Sequence, residues 1–200
     1  MLKVLRDDLP ADEGGPVAGI GYTALAWSRD GRSWQWGRKP FIDRNHEPNT
    51  WDHAMTWADC QLPVGDNLYI YYGGYANGHK VNRFEERQIG LAIMPRDRYV
   101  SRKAGSKPAI ITTPQLTLNA GSLLVNAKIK GQLRVRIVND KGEALKGFNY
   151  EDCIPITGDS VRHPVVFAKS IASIGDKPVQ LQFSYSEGEL YGFELFSARQ

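Results

Sequence analysis

The chain has 200 residues, 42% of them hydrophobic, enough to bury one large core or two small ones without a metal or a disulfide framework. Its 25 basic and 22 acidic residues are spread without runs of like charge and leave a formal net charge of +3. That balance excludes nucleic-acid or membrane-surface binding driven by bulk electrostatics. The opening MLKVLRDDLPADEGGP lacks the apolar core of an export signal, and no segment has the length of a membrane helix, so the localisation stays open.

Nearly every patterned run has the two-residue period of a strand. GYTALAWS (21–28) and RSWQWG (32–37) flank Asp30-Gly31, a dipeptide that favours a two-residue type I′ hairpin turn. The segment EPNTWDHAMTWA has Pro48 at a possible first helical position, but its composition and the strands after it predict a loop or strand. TWDHAMTWADCQLPV, LYIYYGGY, QIGLAIM and RYVSRKA then read as a meander of about four strands. The second and third of these are separated by a long polar loop, residues 76–87.

AGSKP marks a predicted domain boundary, dividing the chain into 1–104 and 105–200. Beyond it, ITTPQLTLNA, SLLVNAKIK, QLRVRIVND, FNYEDCIPI, HPVVFA, PVQLQFSYS and LYGFELFS predict about seven strands. Lys130-Gly131, Asp140-Lys141-Gly142 and Glu187-Gly188 read as turns between them. In QLRVRIV, Leu133, Val135 and Ile137 are expected in a core, with Arg134 and Arg136 on a solvated face. The expected fold is therefore all-β: a propeller-blade-like antiparallel meander followed by a C-terminal antiparallel β-sandwich.

SRDGRSW, TWDHAM, VGDNLYIYYGGYANGHK and RQIGLAIMPRDRYVS, taken together, resemble the last blades of five-bladed β-propeller glycosidase-like proteins of the family 32 and family 43 superfamily. GFNYEDCIPITGDSVRHPVVF and GDKPVQLQFSYSEGELYGFEL resemble the β-sandwich that trails such propellers. The resemblance implies that residues 1–104 form a partial propeller of about one and a half blades, since a propeller closes by radial repetition. It also implies a carbohydrate partner, with the first blade and its catalytic carboxylate outside this chain.

Glycoside hydrolysis uses two carboxyl groups placed across the scissile bond. Asp52 is the catalytic candidate, with Asp59 further along the same run. Trp51 and Trp57 are candidates for stacking on sugar, and His53 stands beside the acid. The alternative reading has Asp52 capping a loop and both tryptophans filling the blade. In the polar loop and its flanks, Tyr75, His79, Lys80, Arg83 and Arg87 are candidate binding residues, against a solvated loop whose arginines pair with Glu85 and Glu86. Gly73-Gly74 reads as a bulge or a close crossing rather than a phosphate cradle.

Cys60 and Cys153 lack metal-ligand spacing, so no cofactor or metal is expected from them; they read as two separate thiols, with a disulfide in an oxidising compartment as the alternative. The one cation considered is calcium at Glu151, Asp152 and Asp159, with turn formation by these acids as the alternative. His163 reads as a structural histidine. Because a partial propeller leaves an apolar edge, the chain is expected to form a homo-oligomer. A second functional class fits the same residues: a non-catalytic lectin-like or structural assembly module, with Tyr150, Tyr185 and Tyr191 as the available rings.

Overall fold

The computed structural model describes residues 1–6, 19–79, 86–118 and 120–196. The chain is all-β and divides into two compact units, Met1–Arg96 and Asp97–Gln200. This division lies upstream of AGSKP because Arg102–Ala104, just before that segment, forms a strand belonging to the second unit.

In the first unit, β1 (Leu2–Arg6), β2 (Ile20–Ser28), β3 (Trp34–Ile42), β4 (Met55–Val64), β5 (Asn67–Tyr75) and β6 (Arg87–Pro95) form one sheet. Its order is β1-β2-β4-β5-β6, with β3 also paired to β2. The β4-β5-β6 part is the predicted antiparallel meander. The strand β1 has no counterpart in the predicted elements. Between β2 and β4 the sheet forks: they share a single parallel bridge at Gly21 and Met55, after which β3 takes over the edge of β2 from Thr23 to Ser28. Two buried threonines close the fork. Thr23 Oγ1 donates to the Thr56 carbonyl and accepts from the Ala58 N–H, both at 2.9 Å, and Thr56 Oγ1 donates to the Ile42 carbonyl at 3.0 Å.

The β2-β3 hairpin has a wider turn than Asp30-Gly31 predicts. The last pair is Ser28 with Trp34, and of the two central residues only Gly31 has a positive φ, 70°. A type I′ turn needs positive φ at both. The loop is organised instead by the Asp30 carboxylate, which accepts from the N–H groups of Ser33 (2.7 Å) and Arg32 (2.8 Å) and from Ser28 Oγ (2.9 Å). These bonds, the Ser33 one foremost, hold the carboxyl far below the usual carboxylate range.

The second unit contains β7 (Arg102–Ala104), β8 (Ala109–Thr112), β9 (Leu116–Thr117), β10 (Ser122–Val138), β11 (Ile156–Pro164), β12 (Pro178–Tyr185) and β13 (Gly188–Phe196). A short 3-10 turn lies at Ile171–Ile174. The predicted turn at Lys130-Gly131 is absent, and β10 runs through it as one 17-residue strand. Its partner along one edge is β12 followed by β13, with Val138 opposite Gln180 at one end and Ser122 opposite Phe196 at the other.

Lys130-Gly131 and Glu187-Gly188 therefore face each other across one ribbon, and the Lys130 N–H donates to the Glu187 carbonyl at 2.9 Å. Both glycines mark a bend with close approach. A Cβ at Gly131 would lie 2.7 Å from the Ser186 carbonyl oxygen, and one at Gly188 2.8 Å from that of Lys128. Bulges and bends of this kind raise strand twist and use glycine for its lack of a side chain.

Other boundaries also shift. The run ITTPQLTLNA is split around Pro114 into β8 and β9, because proline has no N–H to give the ladder. FNYEDCIPI is a turn region, with the Asn149 N–H bound to Asp152 Oδ2 at 2.9 Å, and β11 occupies ITGDSVRHP instead. The inward residues of β10 and β12, from Leu123 through Ile137 and from Val179 through Tyr185, build one core with Phe148, Cys153, Phe167 and Ile171. Each buried aliphatic or aromatic side chain there contributes roughly 1.5–3 kcal/mol.

Candidate functional site

The predicted site residues fall into two neighbourhoods on opposite faces of the meander. Successive strand residues point to opposite faces. At Gly74 a Cβ would collide with Trp51, 2.2 Å from its Cζ3, and would lie 3.0 Å from the Asp52 Cβ. At Gly73 the neighbour is the Tyr75 ring, at 3.5 Å. Trp51 and Asp52 thus lie on one face, Tyr75 on the other.

On the first face, the Trp51 indole lies across Gly74 and Gly90 and stacks on Tyr72, with centroids 5.6 Å apart and planes 20° apart. The strands stay in regular register at Gly73-Gly74, so Gly74 gives room to an indole rather than marking a bulge. The Tyr72 hydroxyl donates to Asp52 Oδ2 at 3.3 Å, while Asp52 Oδ1 is buried with no hydrogen-bond partner among the described residues. Burial, and after it the Asp52 charge, push the Tyr72 phenol above its usual value.

His53 is buried and anchors this loop: its Nδ1 lies 3.0 Å from the Asn45 carbonyl, and its own carbonyl accepts from Arg44 Nη1 at 3.1 Å.

On the second face, Trp57 stands opposite Gly73 and meets Tyr75 edge-on, with centroids 5.7 Å apart. Asp52 is therefore not held between Trp51 and Trp57. Tyr75 is directly opposite Arg87, and these two residues line a shallow cleft of about 410 Å³ with Asp59, Tyr71 and Ile89 of the same face, while Tyr72 and Gln88 reach it from positions whose neighbours lie on the first face. Asp59 is the extra residue where β4 bulges against β5, and Lys3 from β1 ion-pairs with it while lying 5.6 Å from the Trp57 ring centroid.

His79 is tied to the start of β2 through its N–H, which donates to the Gly19 carbonyl at 3.2 Å. The candidates Lys80 and Arg83 lie outside the described residues, as does Glu85. Glu86 is hydrogen-bonded by Asn77. Sequence reasoning missed Tyr71 and Gln88. Tyr71 has a visible signal, since it shares the two-residue period of Tyr69, Gly73 and Tyr75.

In the second unit, Arg134 and Arg136 are half-buried rather than fully solvated. Arg134 Nη1 donates to the carbonyls of Tyr150 and Cys153, both at 3.0 Å. Of the acids considered for calcium, Asp159 is engaged by Arg98 Nη2 at 2.6 Å and by Lys128 Nζ at 3.7 Å, and Glu151 accepts from Asn149. Among the described residues no group of three or more His, Cys, Asp or Glu side chains is placed to hold a metal. The His163 ring bonds the Ala127 carbonyl at 3.2 Å. Tyr185 is buried in the core and donates to the Arg102 carbonyl at 2.7 Å, and the Tyr191 ring carries the Arg98 guanidinium at 4.6 Å. Neither ring is a free platform.

No family model, curated protein or solved structure matches this chain.

Proposed function

We propose that the chain binds carbohydrate in the cleft of the first unit and does not by itself hydrolyse it. One observation carries the reading: two tyrosine rings, Tyr71 and Tyr75, are lined up with a carboxylate, Asp59, and a guanidinium, Arg87. Aromatic faces pack on the C–H faces of a sugar, and charged groups at the rim hydrogen-bond its hydroxyls. The motif resemblance to propeller glycosidases supports the same partner class. Asp52 and Asp59 lie on opposite faces, which does not suit a pair acting across one glycosidic bond.

A glycan array followed by calorimetry tests this, with binding expected to weaken at least tenfold in Tyr75→Ala. Hydrolysis of aryl glycosides that disappears in Asp52→Asn would overturn the non-catalytic part. A blank array would remove the carbohydrate reading.

A second reading, self-association, is favoured by a separate observation. Ile89, Leu91 and Ile93 stand exposed on one face of β6, Ile89 by 83%, and β6 ends the sheet. Edge strands are usually protected by charge, and Gln88–Pro95 carries none. In the run Ile89-Gly90-Leu91-Ala92-Ile93 the large side chains are symmetric about Leu91, with the small Gly90 and Ala92 exchanging places, so antiparallel pairing of two copies sets Ile89 against Ile93 of the partner subunit. Sedimentation velocity over a concentration series is expected to show a dimer that Leu91→Lys abolishes. A monomer at every concentration would sink it.

A further inference from the structure

We propose that the second unit binds a hydroxylated carboxylate, of the size of a single uronic-acid ring, with the Arg134 guanidinium as its anchor. The pocket lies beside the ribbon bend, has a volume of about 250 Å³ and is lined by Gln132, Arg134, Tyr150, Ser184 and Ser186 among others. It is separate from the cleft of the first unit and does not rest on the reading given to that cleft.

Arg134 is held before any ligand arrives. The two carbonyls that accept from its Nη1 belong to the turn region carrying Tyr150 and Cys153, so the plane of the fork is set by backbone. Carbonyls orient a guanidinium without neutralising it. Among the described residues no carboxylate lies within ion-pair distance of Arg134 or of Arg136. Arg136 adds a second positive charge close by: its Nε donates to Gln182 Oε1 at 2.6 Å, and its guanidinium lies 4.7 Å from the Tyr150 ring centroid. A half-buried cation with no counter-charge is costly, and an anion at its free N–H groups relieves that cost.

Three neutral groups around the guanidinium suit hydroxyls rather than further charge. Ser184 and Ser186 each offer a donor and acceptor, and Gln132 offers both. The Tyr150 hydroxyl is buried with the Arg136 guanidinium beside it, a group that can only donate, so the phenol's own O–H has no acceptor among the described residues and is left to donate to a ligand. Arg136 does not line the pocket, so a single guanidinium faces the ligand. One planar fork matches one planar, singly charged carboxylate, the pairing for which arginine geometry is best adapted.

Calorimetry or NMR titration of the full chain with glucuronate tests this. Binding is expected at a Kd of about 1 mM, as suits one bidentate pair with few other contacts. Glucose is expected to bind at least tenfold more weakly, and so is sulfate. Arg134→Gln is expected to remove binding. Because that variant also frees two carbonyls and could unfold the turn region, Ser184→Leu serves as a second probe: it fills the pocket, leaves the Arg134 anchors in place and is expected to abolish binding too. Equal affinity for glucose, tighter binding of sulfate, no binding of glucuronate, or binding that survives Ser184→Leu would each overturn the proposal.

Discussion

Thr23 and Thr56 stitch the sheet where its backbone ladder runs out. Thr23 Oγ1 satisfies both the Thr56 carbonyl and the Ala58 N–H, two groups that the parting of β2 and β4 would otherwise leave without partners. Replacing Thr23 by Val keeps the shape and removes both bonds inside a buried site. Unsatisfied buried groups cost about 1–3 kcal/mol. Urea unfolding of Thr23→Val is expected to show a loss of that size in the first unit, and Thr23→Ser is expected to recover most of it.

The ribbon bend makes a second prediction. At Gly131 and Gly188 an added Cβ would meet backbone oxygens at 2.7 and 2.8 Å, and backbone cannot step aside as a flexible side chain can. Gly188→Ala and Gly131→Ala are each expected to destabilise the second unit by about 1–3 kcal/mol. The same change at Gly192, where a Cβ meets nothing within 4 Å, is expected to have little effect.

Acid sensitivity is expected at Asp159. Its hydrogen bond from Arg98 is the main cause that lowers its carboxyl below the ordinary value, with Lys128 contributing less. A carboxyl depressed in the folded state adds stability above its unfolded pKa, and that stability is lost as pH falls through the folded pKa. Arg98 has a side chain only 8% exposed, and Asp159 is the carboxylate that ion-pairs with it beside its neutral contacts to Asn126 and the Tyr191 ring. Thermal unfolding measured between pH 7 and about pH 2 is expected to fall less steeply in Asp159→Asn than in the parent. Equal slopes would show that the pair does not contribute.

The two thiols are expected to differ in reactivity. Cys60 is exposed, whereas Cys153 is buried and its thiol is pushed above its usual range by burial. A maleimide is expected to label Cys60 at once in the native protein and Cys153 only on unfolding. Simultaneous labelling of both would contradict the placement of Cys153 in the core.

The strand period in QLRVRIV correctly places Leu133, Val135 and Ile137 inside, because alternation is a local property. Gly131 and Gly188 are ambiguous in sequence: glycine serves equally for a turn or for close approach, and only the cross-strand partner separates the two. The same limit governs the site. Tyr75 and Arg87 come together as neighbours in register, but Asp52 and Trp57 part, since nothing local states how loop 43–54 folds onto the strands. β1 leaves no readable period, because LKVLR is short and neighbours no second patterned run.

The geometry of the long ribbon also orders its assembly. Partners at one end, Val138 and Gln180, are 42 positions apart (180 − 138), and those at the other, Ser122 and Phe196, 74 (196 − 122). Closing the shorter loop costs less chain entropy, so pairing is expected to start at Val138 and to zip toward Ser122 through the glycine bend. Leu181→Ala is then expected to slow refolding, and Leu123→Ala chiefly to speed unfolding.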